Sequence, residues 1–137
     1  MERTLSIVKP DGVKKNLIGE VISMFEKNGL RVSALRMIHL SKEEAKLFYF
    51  VHKERPFYNS LTEFMSEGPV VVMVLSGGNA ISRVRDIMGS TNPKDAAPGT
   101  IRAAFASDIE RNIVHGSDSL QSAAFEIPFF FSALEII

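Results

Sequence analysis

Six consecutive aliphatic residues, Val70 to Leu75, constrain this chain more than any other segment. An apolar, largely β-branched run with no polar interruption reads as a strand buried in the middle of a sheet. It is far shorter than the ~18 residues that a membrane-spanning helix needs. The rest of the chain must therefore supply neighbouring strands and the layers that cover them. Thr4 to Val8 alternates polar and apolar, with Leu5 and Ile7 on one face, and reads as a strand. Arg31 to Leu40 reads as another, less cleanly alternating. Ile113 to His115 reads as a short one that Gly116 breaks.

Helical signals separate these strands. Asn16 is expected to cap a helix whose Ile18, Val21, Ile22 and Phe25 share a face, with Gly29 as its stop. Ser41 followed by Glu44 is a capping-box signature for a helix to about His52. Pro56 opens a shorter helix with Leu61, Phe64 and Met65 apolar, closed by Gly68, and Asn79 is expected to cap another to about Met88. Gly89 to Gly99 holds two Gly and two Pro and reads as a long irregular loop. Asp118 with Gln121 reads as the start of a last helix, with Leu120, Ala123, Ala124 and Ile127 on one face up to Pro128. The order is strand, helix, strand, helix, then the same again. It suits an α+β fold of the ferredoxin-like kind, a small antiparallel or mixed sheet covered by helices. A flavodoxin-like parallel sheet is the alternative. The half-alternating first strand favours the former, because parallel strands are buried on both faces.

Composition narrows the function classes. At 137 residues the chain makes one domain, expected to span 1–137, able to bury roughly 70% of its unfolded surface. Sixteen Lys+Arg balance sixteen Asp+Glu, which argues against nucleic acid or an anionic membrane as the main partner. With no cysteine, thiol nucleophiles and thiolate metal sites are excluded, and three histidines are too few for a His-based metal cage. The start is too weakly apolar for a signal peptide, so a soluble, cytoplasmic protein is expected.

No phosphate loop of the G-x-x-x-x-G-K-[ST] kind, dinucleotide fingerprint or hydrolase elbow is present. The informative segment is Asn112 to Ser119: a histidine at a strand end, a glycine, then small polar residues opening a helix. Free N–H groups at that helix start would make an anion site, and an imidazole beside a bound phosphate can act as a nucleophile. Ser119, Ser122 and Glu126 share one stripe of the following helix, so Glu126 can face back and fix the imidazole tautomer. The same pattern also describes a strand-end histidine before an ordinary capped helix. Lys9 ends the first strand before a Pro10-Asp11-Gly12 turn, Arg85 borders an apolar helix stripe, and Arg102 follows the irregular loop. Converging, the three would suit a triphosphate; singly, each reads as a surface charge. Phe57 is either a stacking platform for a base or a packed helix-start residue, and Tyr49 reads as a buried tyrosine with one hydrogen bond.

Together these segments resemble the nucleoside diphosphate kinase family along nearly the whole chain. The resemblance rests on Thr4-Leu-Ser-Ile-Val-Lys-Pro-Asp11, Glu54-Arg-Pro-Phe57, Gly89-Ser-Thr-Asn-Pro93, Pro98-Gly-Thr-Ile-Arg102 and Asn112-x-x-His-Gly-Ser-Asp-Ser119. It implies a ferredoxin-like sandwich with a four-stranded antiparallel sheet. It also implies transfer of a γ-phosphate from a nucleoside triphosphate to a nucleoside diphosphate. His115 matches the histidine that is phosphorylated, and Ser119 and Glu126 the residues that orient it. Lys9, Tyr49, Arg85, Thr91, Arg102 and Asn112 match positions around phosphates and sugar. Phe57 matches the base-stacking aromatic, with Leu61 and Ile109 near the base. Mg²⁺ is implied as a companion of the nucleotide, held through its phosphates rather than by the protein. Tyr58 replaces a second Phe found in many members, and Phe48 a polar residue.

A nucleotide-sensing module on the same fold would be expected to lose the histidine or a phosphate-binding cation, and this sequence keeps them. A ferredoxin-like RNA-binding module would carry aromatics on Leu5 to Lys9 or Val70 to Leu75, and neither has them. The resemblance implies a homo-oligomer, a tetramer or hexamer, with a dimer as the third possibility given a tail that ends at Ile137. Phe129, Phe130 and Phe131 point the same way, since three adjacent rings are not expected to reach one small core and some should pack at a subunit interface.

Overall fold

The structure is a computed structural model that describes residues 1–137. Four strands, β1 (Glu2–Val8), β2 (Arg31–Ile38), β3 (Val70–Gly77) and β4 (Val114–Gly116), form one sheet in the order β2-β3-β1-β4. Every neighbouring pair is antiparallel, as in the ferredoxin-like arrangement. The parallel alternative is discarded. The Val70–Leu75 run is central, pairing with β1 on one side and β2 on the other.

Helices cover both faces. Val70, Val72 and Val74 pack with Leu5 and Ile7 under α3 (Lys42–Phe48), α4 (Tyr58–Met65) and α7 (Leu120–Phe130). Val71, Met73 and Leu75 face the other way, toward α2 (Ile18–Lys27), α5 (Ala80–Met88) and α6 (Ile101–Phe105). The alternation of β1 thus does not mark a solvated face, because Thr4 and Ser6 are fully buried. Ser6 is satisfied by donating to the His115 carbonyl at 2.8 Å.

Several helix ends differ from expectation. Pro10 to Lys14 is a short helix, α1, rather than a turn. Asn16 then adopts φ 60° and does not cap α2, a place taken by Leu17. The Ser41–Glu44 box forms as expected, but α3 ends at Phe48 and a 3-10 turn follows at Phe50–His52. Asn79 makes no side-chain cap for α5; the carboxylate of Glu2 accepts from Ile81 N at 2.8 Å instead. Thr100, immediately after the segment read as irregular, caps α6 by accepting from Ala103 N at 3.3 Å. Helix α7 is capped by a reciprocal Ser119–Ser122 box rather than by Asp118 and Gln121, and it runs through Pro128 to Phe130.

The phenylalanine tail corrects the steric argument as well. Phe130 and Phe131 are both buried and Phe129 packs against the same cluster. The helix ends between Phe130 and Phe131, whose backbone is extended at φ −130°, so successive rings leave in different directions. Phe131 lies beneath the Arg36 guanidinium, 5.3 Å from ring centroid to carbon. Phe125, one turn earlier on the helix, is exposed.

Candidate active site

His115 is the middle residue of β4, and its Nε2 lies 2.7 Å from Glu126 Oε1. Antiparallel pairing with β1 sets Ser6 against Gly116 and Val8 against Val114. The two-residue period of the strand then turns Val114 into the α2–α5 layer and His115 toward α7. Ser119 Oγ accepts from Ser122 N at 3.0 Å and fixes the start of α7. Glu126 stands about two turns further along the same helix, facing β4. Ser117 Oγ donates to the same Glu126 oxygen at 2.9 Å and accepts from Leu5 N at 3.2 Å. An ionised carboxylate only accepts, so Nε2 carries the proton and the Nδ1 lone pair is free. Phe48 and Tyr49 stand edge-on to the imidazole at 5.5 and 6.1 Å, which restricts its rotation.

The ring opens into a cavity of about 1080 Å³. Lys9, Tyr49, Phe57, Leu61, Arg85, Thr91, Arg102, Ile109, Asn112, Ser119 and Glu126 line the same cavity. Every residue singled out from sequence is thereby brought together. The ion pairs of the fold are Arg36–Glu135, Arg111–Glu67 and His115–Glu126, so none of the three cavity cations has an acidic partner. Lys9 is buried and donates to Asn112 Oδ1 at 2.8 Å. Burial, and then the nearby Arg102, lower its pKa to about 8. Burial and then Arg85 lower Arg102 to about 10, which leaves it charged at neutral pH. Its Nε, Nη1 and Nη2 donate to the carbonyls of Asn112, Gly89 and Val114. Arg85 donates to the Gly116 carbonyl at 3.3 Å. Tyr49 has its hydroxyl buried with no partner, where one hydrogen bond was expected, and burial raises its pKa above the usual phenol value. Two buried cations, Lys9 and Arg102, with no carboxylate in ion-pair contact and a phenol without an acceptor make a site that is completed by an anion.

The amides at the start of α7 contribute less than expected. Asp118 N and Ser119 N both donate to Ser122 Oγ, and Ser122 N is bound by Ser119, so much of that cradle is engaged in its own cap. Positive charge comes from the side chains instead. The opposite end of the cavity is apolar. Phe57, 41% exposed, is flanked by the His52 ring at 5.5 Å and the Arg55 guanidinium at 5.7 Å, while Leu61 is buried and Ile109 is 62% exposed. A part-exposed aromatic edge with apolar neighbours suits a flat ring and reads no hydrogen-bond code.

A family model described as nucleoside diphosphate kinase matches residues 2–136. The chain belongs to the nucleoside diphosphate kinase family. Curated relatives of that name include one from Campylobacter concisus, 62% identical over 99% of both chains. Another, from Desulfosudis oleivorans, is 63% identical over 100% of this chain and 99% of its own. The solved nucleoside diphosphate kinase of Aquifex aeolicus is similar at a TM-score of 0.98 and 50% identity, covering 99% of each chain. That of Halobacterium salinarum, solved in complex with CDP, has a TM-score of 0.96 at 39% identity, over 99% of this chain and 91% of that one.

Within the family signature, one assignment changes. Ser117, not Ser119, touches Glu126; Ser119 has its hydroxyl in the helix cap. The signal was available, since Ser117 lies two residues beyond His115 in extended chain and so on the same face.

Lys9 makes the site pH-dependent in a definite direction. Its folded pKa of about 8 lies below the ordinary lysine value, so the cation is lost as pH rises through about 8. A nucleoside diphosphate is fully ionised well below that pH. Its Kd is therefore expected to rise about fivefold between about pH 8 and about pH 9, and Lys9→Gln to flatten the profile, as titration calorimetry would show. The stability of the nucleotide-free protein should move the other way. The unfolded chain holds the Lys9 proton up to about pH 10.4, so Lys9 contributes stability as pH rises between about 8 and about 10.

Proposed function

We propose that the protein moves the γ-phosphate of a nucleoside triphosphate onto a nucleoside diphosphate by way of a phosphohistidine at His115, and so balances NTP and dNTP pools in the cytoplasm. As a family member it is a phosphotransferase acting between these nucleotides. The observation that carries the covalent route is the pairing of Nε2 with Glu126, which leaves Nδ1 as a free nucleophile inside a cavity of unpaired cations.

In the first half-reaction Nδ1 attacks the γ-phosphorus and the bond to the β–γ bridging oxygen breaks, its electron pair leaving with the diphosphate. The imidazole gains positive charge as the N–P bond forms, and the Glu126 carboxylate stabilises it through Nε2. Ser117 holds that carboxylate in place. Lys9, Arg85, Arg102 and the Tyr49 hydroxyl are placed to hold the phosphate oxygens, with Thr91 and Asn112 beside them. The second half-reaction reverses these steps with another diphosphate as acceptor. An anionic acceptor oxygen needs no general base. No group of three His, Cys, Asp or Glu side chains converges on a metal position. Mg²⁺ would thus be held by the nucleotide's own phosphate oxygens, where it neutralises charge.

The reading extends to assembly and context. Both packed layers share one sheet, which supports one domain spanning residues 1–137. No helix is long and apolar enough to cross a membrane. Leu35 and Met37 are about half exposed on the edge strand β2, which supports a homo-oligomer; a tetramer or hexamer, with a dimer as the smaller form, is what family membership implies. Initial rates with ATP and a second nucleoside diphosphate should give parallel double-reciprocal lines. Purine and pyrimidine acceptors should differ in kcat/KM by only about one or two orders of magnitude, because stacking on Phe57 is tolerant of the base. Intersecting lines with no isolable phosphoenzyme would overturn the covalent route.

A further inference from the structure

Ile113 is a buried β-branched residue with φ 75°, a conformation that such side chains rarely adopt. Val114 N donates back to Asn112 O at 2.9 Å, closing a three-residue γ-turn around it, directly before β4. Strain of this kind persists only where the surroundings over-determine it. Here both peptide groups of the strained residue are bound by a single distant segment. Lys9 N donates to Ile113 O at 2.8 Å, and Asp11 Oδ2 accepts from Ile113 N at 3.1 Å. The two segments also meet closely. A Cβ at Gly12 would lie 3.1 Å from both Ile113 Cγ2 and Ile113 O, so α1 rests directly on the turn.

The turn decides where His115 points. Strand β4 is three residues long, and its side chains alternate between the two faces of the sheet. Relaxing Ile113 to an ordinary extended conformation would change the entry of the chain into β4, and a one-residue slip would turn His115 away from Glu126. We infer that Asp11 is a positioning residue for phosphoryl transfer: its carboxylate holds Ile113 in the strained turn and thereby sets the imidazole of His115 against Glu126 and the cavity. Asp11 does not line the nucleotide cavity; besides holding Ile113, its charge favours the Lys9 cation, an effect that substitution by Leu or by Asn removes alike. This inference rests on His115 as the phosphate carrier.

The test is single-turnover phosphorylation by ATP in the full chain, alongside equilibrium binding of ADP. Asp11→Leu removes the acceptor at similar size, and Asp11→Asn keeps an oxygen that can accept from Ile113 N. The Leu variant is expected to be phosphorylated about 10–100-fold more slowly than the Asn variant, with the Kd for ADP within about twofold of that of the Asn variant, since the two lose the Asp11 charge alike. The Asn variant should recover most of the rate. A Leu variant that reacts at the normal rate overturns the inference, as does an Asn variant as slow as the Leu one. So does a Kd that rises by the same factor as the rate falls. If the Leu variant does not fold, amide exchange decides: a freely exchanging Ile113 N–H in the unsubstituted protein is incompatible with the inference, as is one that loses its protection in the Asn variant, and one protected in both supports it. Absence of any phosphoenzyme in the unsubstituted protein would instead refute the His115 reading, a separate outcome.

Discussion

Replacing His115 by glutamine is expected to abolish both the phosphoenzyme formed from ATP alone and steady-state turnover. The fall should be at least about 10⁴-fold, since the covalent path loses its only nucleophile. In the unsubstituted protein the label should be labile to acid and stable to base, as a phosphoramidate is. Thermal unfolding should move little, because the ring is half-buried at a cavity wall rather than in the core. Glu126→Gln separates the two roles of the pair. It keeps an oxygen or amide beside Nε2 but removes the negative charge that stabilises the imidazolium. Label should still form, roughly 10²–10³-fold more slowly. The other two histidines sharpen the test. His39 has its Nε2 on the Ser66 carbonyl at 2.8 Å and lies outside the cavity. His52 lines the cavity at its apolar end, its ring tilted against Phe57. Label retained in His115→Gln would therefore indict His52 before His39.

The strands were legible because their signal is local. Val70–Leu75 needed no partner information to be placed at the centre of the sheet, and the Ser41–Glu44 box formed as its spacing requires. The antiparallel topology was reached through an incomplete premise. Thr4 and Ser6 look like the solvent side of a half-buried strand, yet both lie under the α2–α5 layer. A small hydroxyl is compatible with burial when a backbone carbonyl is in reach, as the His115 carbonyl is for Ser6, and sequence alternation does not distinguish that case from exposure.

The site was legible as residue types and partly illegible as contacts. Glu126 could be placed by helical period, and the structure puts it against His115. The Ser117 contact depends on where β4 ends and α7 begins, a boundary of one or two residues that patterns resolve poorly. Helix α1 and the γ-turn at Ile113 were invisible for a different reason. Neither has a local signature: Pro10-Asp11-Gly12 reads as a turn, and a β-branched residue argues against positive φ. Contacts between residues about a hundred positions apart create both.

Arg102 is where long-range organisation and charge meet, and its replacement should cost more than the loss of a phosphate ligand. The side chain is buried, and three of its five N–H groups donate to backbone carbonyls on two segments. Two of these acceptors, Asn112 and Val114, bracket the γ-turn; the third, Gly89, opens the loop that carries Thr91. The Thr91 carbonyl in turn holds Asn112 Nδ2 at 3.1 Å. Arg102→Met keeps the bulk and removes all three donors. Hydrogen bonds to a charged donor contribute about 1.5–3 kcal/mol each, and water can re-satisfy part of the loss, so destabilisation of about 3–5 kcal/mol is expected. In a domain of this size that lowers Tm by about 10 °C or more. Turnover should also fall by at least about 10²-fold at temperatures where the variant is still folded, because the turn and the loop both loosen around His115. Arg102→Lys discriminates between charge and geometry. An ammonium restores the positive charge but is a point donor that does not span three diverging carbonyls, so it should recover little of the Tm. A lysine variant with normal Tm and near-normal turnover, or a methionine variant whose Tm falls by less than about 2 °C, would reduce Arg102 to an ordinary phosphate-binding cation.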